Sequence, residues 1–351
     1  MDIVMDTPQF QIFSEHLKFI SEIDEFKGKW QALSSLAPDQ LARLKRIATV
    51  ESVGSSTRIE GARLTDSEVE RLLSGLSATS FQSRDEEEVA GYAEVMELIF
   101  ESYDDLNITE NHIKQLHQIL LKFSTKDVRH RGDYKKFPNH VEAFDETGRS
   151  LGIIFETASP FEAPLLMSDL IEWFNTESQK GTQHPLLLSA IFIVNFLAIH
   201  PFQDGNGRLS RILTTLLLLK SGYYYVPFAS LERIIEENKD QYYLALRSAQ
   251  STLYSNNSKL NQWILFFLSS LRKQVTVLES KIKIEKVITQ LPPLSRDIIQ
   301  IAKQQGKVTV RDAHGITGAN RNTIKAHIKE LVRRGGLKKI GIGKGTWYKL
   351  P

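Results

Sequence analysis

The chain has 351 residues, 41% of them apolar and 25% charged, with a formal net charge of +2 and no cysteine. These values exclude a wholly disordered or collagen-like chain, and the missing thiols exclude disulfides, thiolate metal sites and a catalytic cysteine. At roughly 150 residues per domain, the length points to two or three packed units.

The small net charge hides an asymmetry. Residues 291–351 hold 13 Lys or Arg against 3 Asp or Glu, whereas residues 1–270 hold 26 basic against 37 acidic residues. Two parts of opposite sign suggest two jobs. The opening MDIVMDTPQFQIFSEHLKFI has acidic residues and no basic cluster before a long apolar run, so a secretory signal is not expected. The longest apolar run, HPLLLSAIFIVNFLAI, is 16 residues, too short to predict a membrane span. A cytoplasmic protein is expected.

From 12 to 48 the spacing of Phe13, Leu17, Ile20, Ile23, Trp30, Leu33, Leu41, Leu44 and Ile47 predicts helices with one apolar face, with Pro38 as a break or first helical turn. Residues 49–76 predict helix, turn, helix: Ser55, Ser56 and Thr57 as cap residues of one helix, and Thr65 to Glu68 as the capping box of another. The four acids opening DEEEVAGYAEVMELIF (85–100) read as a solvated first turn favoured by the helix dipole. A helix over 109–123 leads into the least helical segment, which predicts a two-strand hairpin over about 139–156, turning at Asp145 to Arg149. Helices are predicted near 163–177, 184–199 and 208–221, then a strand-like joint at GYYYVPF, then helices near 231–254 and 258–290. The fold class is mainly α.

The segment AIHPFQDGNGRLSRILTTLLLLKSG places an apolar helix end, a polar loop and a second helix N-terminus in succession. Gly205 and Gly207 permit positive φ and close ligand approach, and N–H groups entering a helix, here with Asn206, form an anion cradle. Arg208 and Arg211 lie three apart, so both guanidinium groups can face the loop and grip phosphate oxygens. Asp204 is a hard oxygen ligand suited to Mg²⁺ bridging those phosphates. His200 can take a proton from a hydroxyl near neutral pH.

HPFQDGNGRLSR resembles the active-site motif of the Fic (filamentation induced by cAMP) family, HPFx(D/E)GNGRxxR. The resemblance extends over a helical N-terminal region, a hairpin flap before the motif, a helical bundle and a C-terminal winged helix. It implies transfer of AMP from ATP to a Ser, Thr or Tyr hydroxyl of a protein, with loss of pyrophosphate. His200 would be the general base, Phe202 the loop anchor and Asp204 the Mg²⁺ ligand. Gly205, Asn206 and Gly207 would hold the α and β phosphates, Arg208 the β phosphate and Arg211 the γ phosphate.

Upstream, Ser56-Thr-Arg-Ile-Glu60-Gly61 fits the family's inhibitory pattern (S/T)xxxE(G/N). By itself that string also reads as a helix cap followed by a C-terminal glycine. The resemblance implies that Glu60 pairs with Arg211 and competes with the γ phosphate for it. It also leaves open AMP removal, with Glu60 positioning water.

The same resemblance places Val141 and Phe155 on a flap that pairs main chain to main chain with a target, or equally in hairpin packing. It places Tyr242, Tyr243 and Gln250 at the adenine site, where helix packing is the alternative for the aromatics. The basic C-terminus reads as helix, short helix, a turn at Thr317-Gly318, a longer helix over about 320–334 and two strands joined by Gly341 to Gly345. That order is a winged helix-turn-helix, which would present Arg321, Asn322, Thr323 and Lys325 to a DNA major groove, a protein-contact domain being the alternative. The expected organisation is a helical region with the inhibitory motif (1–105), a Fic core (106–275) and a winged helix-turn-helix domain (276–351). Self-modification and a homodimer are further expectations. The competing function is a DNA-binding regulator whose core only senses nucleotide.

Overall fold

The computed structural model describes residues 11–32, 38–75, 81–139, 141–144, 150–253, 259–289 and 291–350. The chain divides into two compact units, Met1–Val277 and Leu278–Pro351. Both are mainly helical, with one two-stranded antiparallel ladder each among the described residues.

In the first unit, α1 (Ser14–Ala32) and α2 (Pro38–Ile59) bury Ile20, Ile23 and Leu44 of the predicted apolar face, while Phe13, ahead of α1, and Leu17 are exposed and Leu33 lies outside the described residues; Pro38 takes the first helical position of α2. Pro suits that position because its missing N–H has no intrahelical partner to lose. The short α3 (Asp66–Ser74) starts at the expected Thr65–Glu68 capping box. Ser83 caps α4 (Arg84–Ser102), and Thr109 caps α5 (Glu110–Leu120).

The hairpin follows as β1 (Val141–Phe144) and β2 (Ser150–Phe155), antiparallel with Val141 opposite Phe155. Its expected turn, 145–149, lies outside the described residues. Then come α6 (Ala163–Lys180), α7 (Pro185–Ile199) and α8 (Asn206–Lys220). Every residue of α7 from Leu186 to Ile199 is buried, which explains its unbroken apolar run: a helix covered on all sides needs no polar face.

Three expectations are corrected. Ser55, Ser56 and Thr57 do not cap a helix; they lie buried in the last turns of α2, where Thr57 Oγ1 returns its proton to the Val53 and Gly54 carbonyls. The GYYYVPF joint is a turn and a 3₁₀ segment (Val226–Phe228), not a strand, because Tyr223 and Tyr225 are buried as packing side chains and make no ladder. The helix predicted over 231–254 is two, α9 (Leu231–Glu237) and α10 (Lys239–Gln250), divided at Asn238. The long α11 runs Leu260–Thr289.

The second unit contains α12 (Pro293–Gln305), α13 (Val310–Thr317), α14 (Arg321–Arg333), β3 (Lys338–Ile340) and β4 (Trp347–Lys349). Gly318 ends α13 at φ +68°, and Asn320 caps α14. Ile298, Val308, Ala313, Ile324, Ile328 and Leu331 form its core. Among the described residues no helix is long and apolar enough to cross a membrane.

Candidate active site

His200 terminates α7 in the left-handed region, φ 52°, and is the one non-glycine residue with positive φ among the described residues. A side chain held there costs energy that its surroundings must offset. They do so by fixing the loop that follows. Phe202 is fully buried and stacks on His117, centroids 3.8 Å apart. Asn206 Oδ1 accepts the Phe202 N–H (2.9 Å) while its Nδ2 donates to the Phe202 carbonyl (2.7 Å). Asn139 Nδ2 donates to the same carbonyl, and the Lys135 N–H donates to Pro201 O.

His117 fixes the other end of the loop. Its Nδ1 accepts the Gly132 N–H at 2.9 Å, so Nε2 carries the proton and donates to the Asp204 carbonyl at 3.0 Å. Burial lowers its pKa to about 4, which keeps it in this neutral form. Gly205 then turns the chain at φ +81° into α8. The first intrahelical bond runs from Leu209 to Gly205, so the N–H groups of residues 206–208 precede the ladder and face a ligand with the positive end of the helix dipole. Both polar atoms of the Asn206 side chain are committed to Phe202, which leaves its main-chain N–H as the group it offers.

A cavity of about 270 Å³ opens over this helix end, lined by Glu60, His200, Asp204, Gly205, Asn206, Gly207, Arg208, Tyr242, Tyr243, Arg247 and Gln250 among others. A larger groove, about 630 Å³, lies between α2, α3 and α4 and contains none of these residues. Arg208, which lines the smaller cavity, keeps its Nε buried without an acceptor among the described residues. Buried guanidinium N–H groups in that condition fit phosphate oxygens.

Asp204 is partly exposed at the cavity edge. Burial pushes its carboxyl up, but Arg208, the Gly205 N–H and Arg84 outweigh that and hold it below its usual value. An ionised carboxylate beside a phosphate cradle fits Mg²⁺, which takes one or two protein carboxylates and draws its other ligands from phosphate and water. His200 is lowered to about 4 by burial and then by the Lys135 ammonium, against the opposing pull of Glu60 and Asp204. Its Nδ1 lies 3.4 Å from the Leu197 carbonyl, an acceptor that favours a proton on Nδ1 and leaves Nε2 free to take one.

Glu60 reaches the same helix end from α2. Gly61 has φ +105°, and the bonds Ala62 N–H to Thr57 O and Gly61 N–H to Arg58 O form a Schellman closure with Glu60 as its cap residue. The cap and the ion pair are therefore both present. Arg211 Nη2 donates to Glu60 Oε1 at 2.7 Å, and Arg211 also donates to Ser56 Oγ (2.8 Å) and Ser56 O (3.0 Å). A Cβ added to Gly207 would lie 2.3 Å from Glu60 Oε1, which puts the carboxylate directly on the helix N-terminus. Burial raises the Glu60 pKa, but Arg211 and Arg208 overcome this and lower it. The Arg211 side chain is 4% exposed and that of Glu60 32%, so water screens one partner. We assign the contact ~1–3 kcal/mol, at the charge-assisted end for hydrogen bonds and discounted for that exposure.

The remaining expected residues divide. Tyr242 is buried against Trp263 and Phe266 while also lining the cavity, Tyr243 is half-buried beside it, and Gln250 is buried at its wall. Val141 and Phe155 pair at the open end of the hairpin. In the second unit, Arg321, Asn322, Thr323 and Lys325 are exposed on the first turns of α14.

Sequence reasoning missed three groups. Glu88, the last of the four acids read as a solvated turn, is in fact buried, pairing with Arg84 Nε (2.8 Å) and Arg208 Nη1 (3.2 Å). Its signal was position: it falls one helical turn after Arg84, on the inward face. His117 sits in the apolar stripe of α5 with Ile113, Leu116 and Leu120. Lys135 is buried, its Nζ bonded to Asn139 Oδ1, Thr157 Oγ1 and Ile199 O, and nothing in its local sequence marks it.

Residues 107–218 match the Fic/DOC family model. The chain is 30% identical over 234 residues to the protein adenylyltransferase Fic of Drosophila mojavensis and 31% identical over 225 residues to that of Drosophila grimshawi. These alignments take in 66% and 63% of this chain, which spans 42% of the length of either relative. Among solved structures, a Fic family protein from Desulfovibrio desulfuricans G20 superposes with TM-score 0.63 at 24% identity, over 99% of this chain and 98% of its own. A Fic domain containing signaling protein from Bacteroides thetaiotaomicron does so with TM-score 0.60 at 27% identity, over 77% and 97%. The loop geometry and the shared fold together give this chain the Fic fold, with residues 107–218 matching the Fic/DOC family model.

Proposed function

We propose that the protein is an adenylyltransferase that moves AMP from ATP to a Ser, Thr or Tyr hydroxyl of a protein, and that Glu60 restrains it. The observation that carries this reading is the Glu60 carboxylate resting on the N-terminus of α8 and on Arg211, beside His200. An anion already occupies the place where the cradle would hold phosphate. The drosophilid relatives named protein adenylyltransferase support the same reading.

In this scheme Gly205, Asn206 and Gly207 hold the α and β phosphates at the open N-terminus of α8, Arg208 the β and Arg211 the γ phosphate. Asp204 would hold Mg²⁺, which neutralises phosphate charge when bound. The target hydroxyl attacks the α phosphorus, its proton passes to His200 Nε2, and the bond to pyrophosphate breaks. The protein's contribution is positioning and charge stabilisation. β1 and β2 would align the target main chain, with Val141 and Phe155 at the flap base. Tyr242, Tyr243 and Gln250 would receive the adenine.

For Leu278–Pro351 the proposal is a winged helix-turn-helix that meets DNA through Arg321, Asn322, Thr323 and Lys325, supported by their exposure on α14 and by the basic excess of the segment. The test of the main reading uses Glu60→Gly protein and ATP labelled at the α or the γ phosphorus. Label retained in protein from α and not from γ is expected. Bound ATP with no transfer would favour a nucleotide sensor, and retention from γ would indicate phosphorylation.

A further inference from the structure

Lys135 is 3% exposed, and the groups that hold its ammonium are neutral. Its N–H donors meet Asn139 Oδ1 at 2.8 Å, Thr157 Oγ1 at 2.8 Å and the Ile199 carbonyl at 3.3 Å, so each of the three protons of an ammonium has an acceptor. Asn139 lies two residues before β1 and Thr157 two residues after β2. Thr157 Oγ1 closes the pair by donating to the Asn139 carbonyl. Ile199 is the last residue of α7. One buried cation therefore joins both roots of the hairpin to the residue before His200.

The main chain of Lys135 grips the other side. Its N–H donates to Pro201 O at 2.8 Å, and Tyr134 bridges Phe202. The carbonyls of the residues on either side of His200 are thus both held by Lys135. His200 has φ 52°, a conformation that a non-glycine residue keeps only where its surroundings fix it. The ammonium also lies at the C-terminus of α7, where the last carbonyls lack intrahelical donors and the dipole favours positive charge. Burial lowers the Lys135 pKa to about 8, so the side chain is still mainly an ammonium at pH 7. Burying that charge without a carboxylate beside it is costly; what it secures here is one frame shared by hairpin and loop.

We infer that Lys135 is a positioning residue for AMP transfer, locking the hairpin roots to the chain on both sides of His200 so that a target strand laid on the hairpin meets the imidazole at one distance. This rests on the proposal that the hairpin aligns the target and that His200 takes its proton. Transfer needs hydroxyl, base and α phosphorus in register, and a misplacement of about 1 Å can cost about a hundredfold in rate. Nucleotide binding makes no such demand, since Lys135, Asn139 and Thr157 do not line the cavity over α8.

Lys135→Met keeps the reach of the side chain and removes all its donors; Thr157→Val keeps the shape of the threonine and removes one acceptor. Both are made in Glu60→Gly protein. In hydrogen exchange, Lys135→Met speeds the amides of β2 and those of His200, Phe202 and Gln203 together, by about tenfold or more as for loss of hydrogen bonds to a charged group, with α1 unchanged. In nitrogen-15 NMR the His200 ring signals, assigned by their loss in His200→Ala, move. AMP incorporation into lysate proteins at saturating ATP falls about tenfold or more, while ATP affinity measured by calorimetry is unchanged. Thr157→Val gives the same pattern at smaller size, which decides the matter should Lys135→Met fail to fold. Faster exchange in β2 with the loop amides and His200 signals unmoved, or ATP affinity lost along with transfer, overturns the inference. If Glu60→Gly protein transfers no AMP, the functional reading falls, and exchange and NMR alone still decide whether Lys135 couples hairpin to loop.

Discussion

At the scale of single residues, the site sets protonation states before any ligand arrives. His200, lowered to about 4 from an ordinary 6.5, is already neutral at pH 7 and can act as a base. As pH falls it stays neutral through 6.5 and gains its proton only near 4, so activity that needs the free base is retained across that window. The kcat/KM of Glu60→Gly protein, followed from pH 8 down, should lose its acid limb well below pH 6. Removing Glu60 takes away an anion that raises the His200 pKa, so the midpoint cannot move up. A midpoint at 6.5 would contradict the environment described. These residues were legible to different degrees. His200, Asp204 and the glycines stand in one string, where each type has a local reason. Glu88 and His117 act on the loop from α4 and α5, across 120 and 87 residues of chain for their Arg84–Asp204 and His117–Asp204 links, and no local spacing reports such contacts.

At the scale of elements, α2 is held in place by charge. Arg58 grips Glu236 of α9 with Nε (2.6 Å) and Nη2 (3.0 Å), bonds the Leu64 carbonyl, and pairs with Asp66, which in turn meets Arg233. This clasp lies two residues from Glu60 and secures the turn that aims it. Arg58→Ala in otherwise native protein should therefore raise AMP transfer several-fold, on the order of the 1–2 kcal/mol expected from a half-buried network; an unchanged rate would show that the clasp does not hold the brake. Packing gives a paired test. A Cβ on Gly91 of α4 would lie 2.1 Å from the Leu120 carbonyl oxygen, which is backbone and cannot move aside cheaply, whereas Gly28 of α1 has nothing within 4 Å. Gly91→Ala should cost about 1–3 kcal/mol or more, and Gly28→Ala should stabilise by about 0.5–1 kcal/mol, both read as Tm shifts. Element types were readable from apolar spacing and caps, as with Thr65–Glu68 and Pro38. The 223–228 joint was not, because three consecutive tyrosines look alike in a strand and in a buried turn.

At the scale of the whole molecule, two units of opposite charge follow one another. The basic one has the exposed start of α14 and Lys338, Lys339 and Lys349 on its ladder. Arg321→Ala with Lys325→Ala in the full chain should weaken duplex DNA binding and flatten its dependence on salt by about one phosphate contact per residue; equal binding by both proteins would assign that unit to protein contacts. The charge asymmetry was visible by counting, and it located this unit without revealing what α14 touches. For the first unit, the most direct measurement is the initial rate of AMP incorporation from α-labelled ATP, into the protein itself and into lysate proteins, by native, Glu60→Gly and Glu60→Gly/His200→Ala chains. Releasing Arg211 from a contact of ~1–3 kcal/mol should raise the rate about tenfold or more, and loss of the imidazole should abolish it. Equal rates in native and Glu60→Gly protein, or undiminished transfer without His200, would contradict a triphosphate site built on this loop and held closed by Glu60.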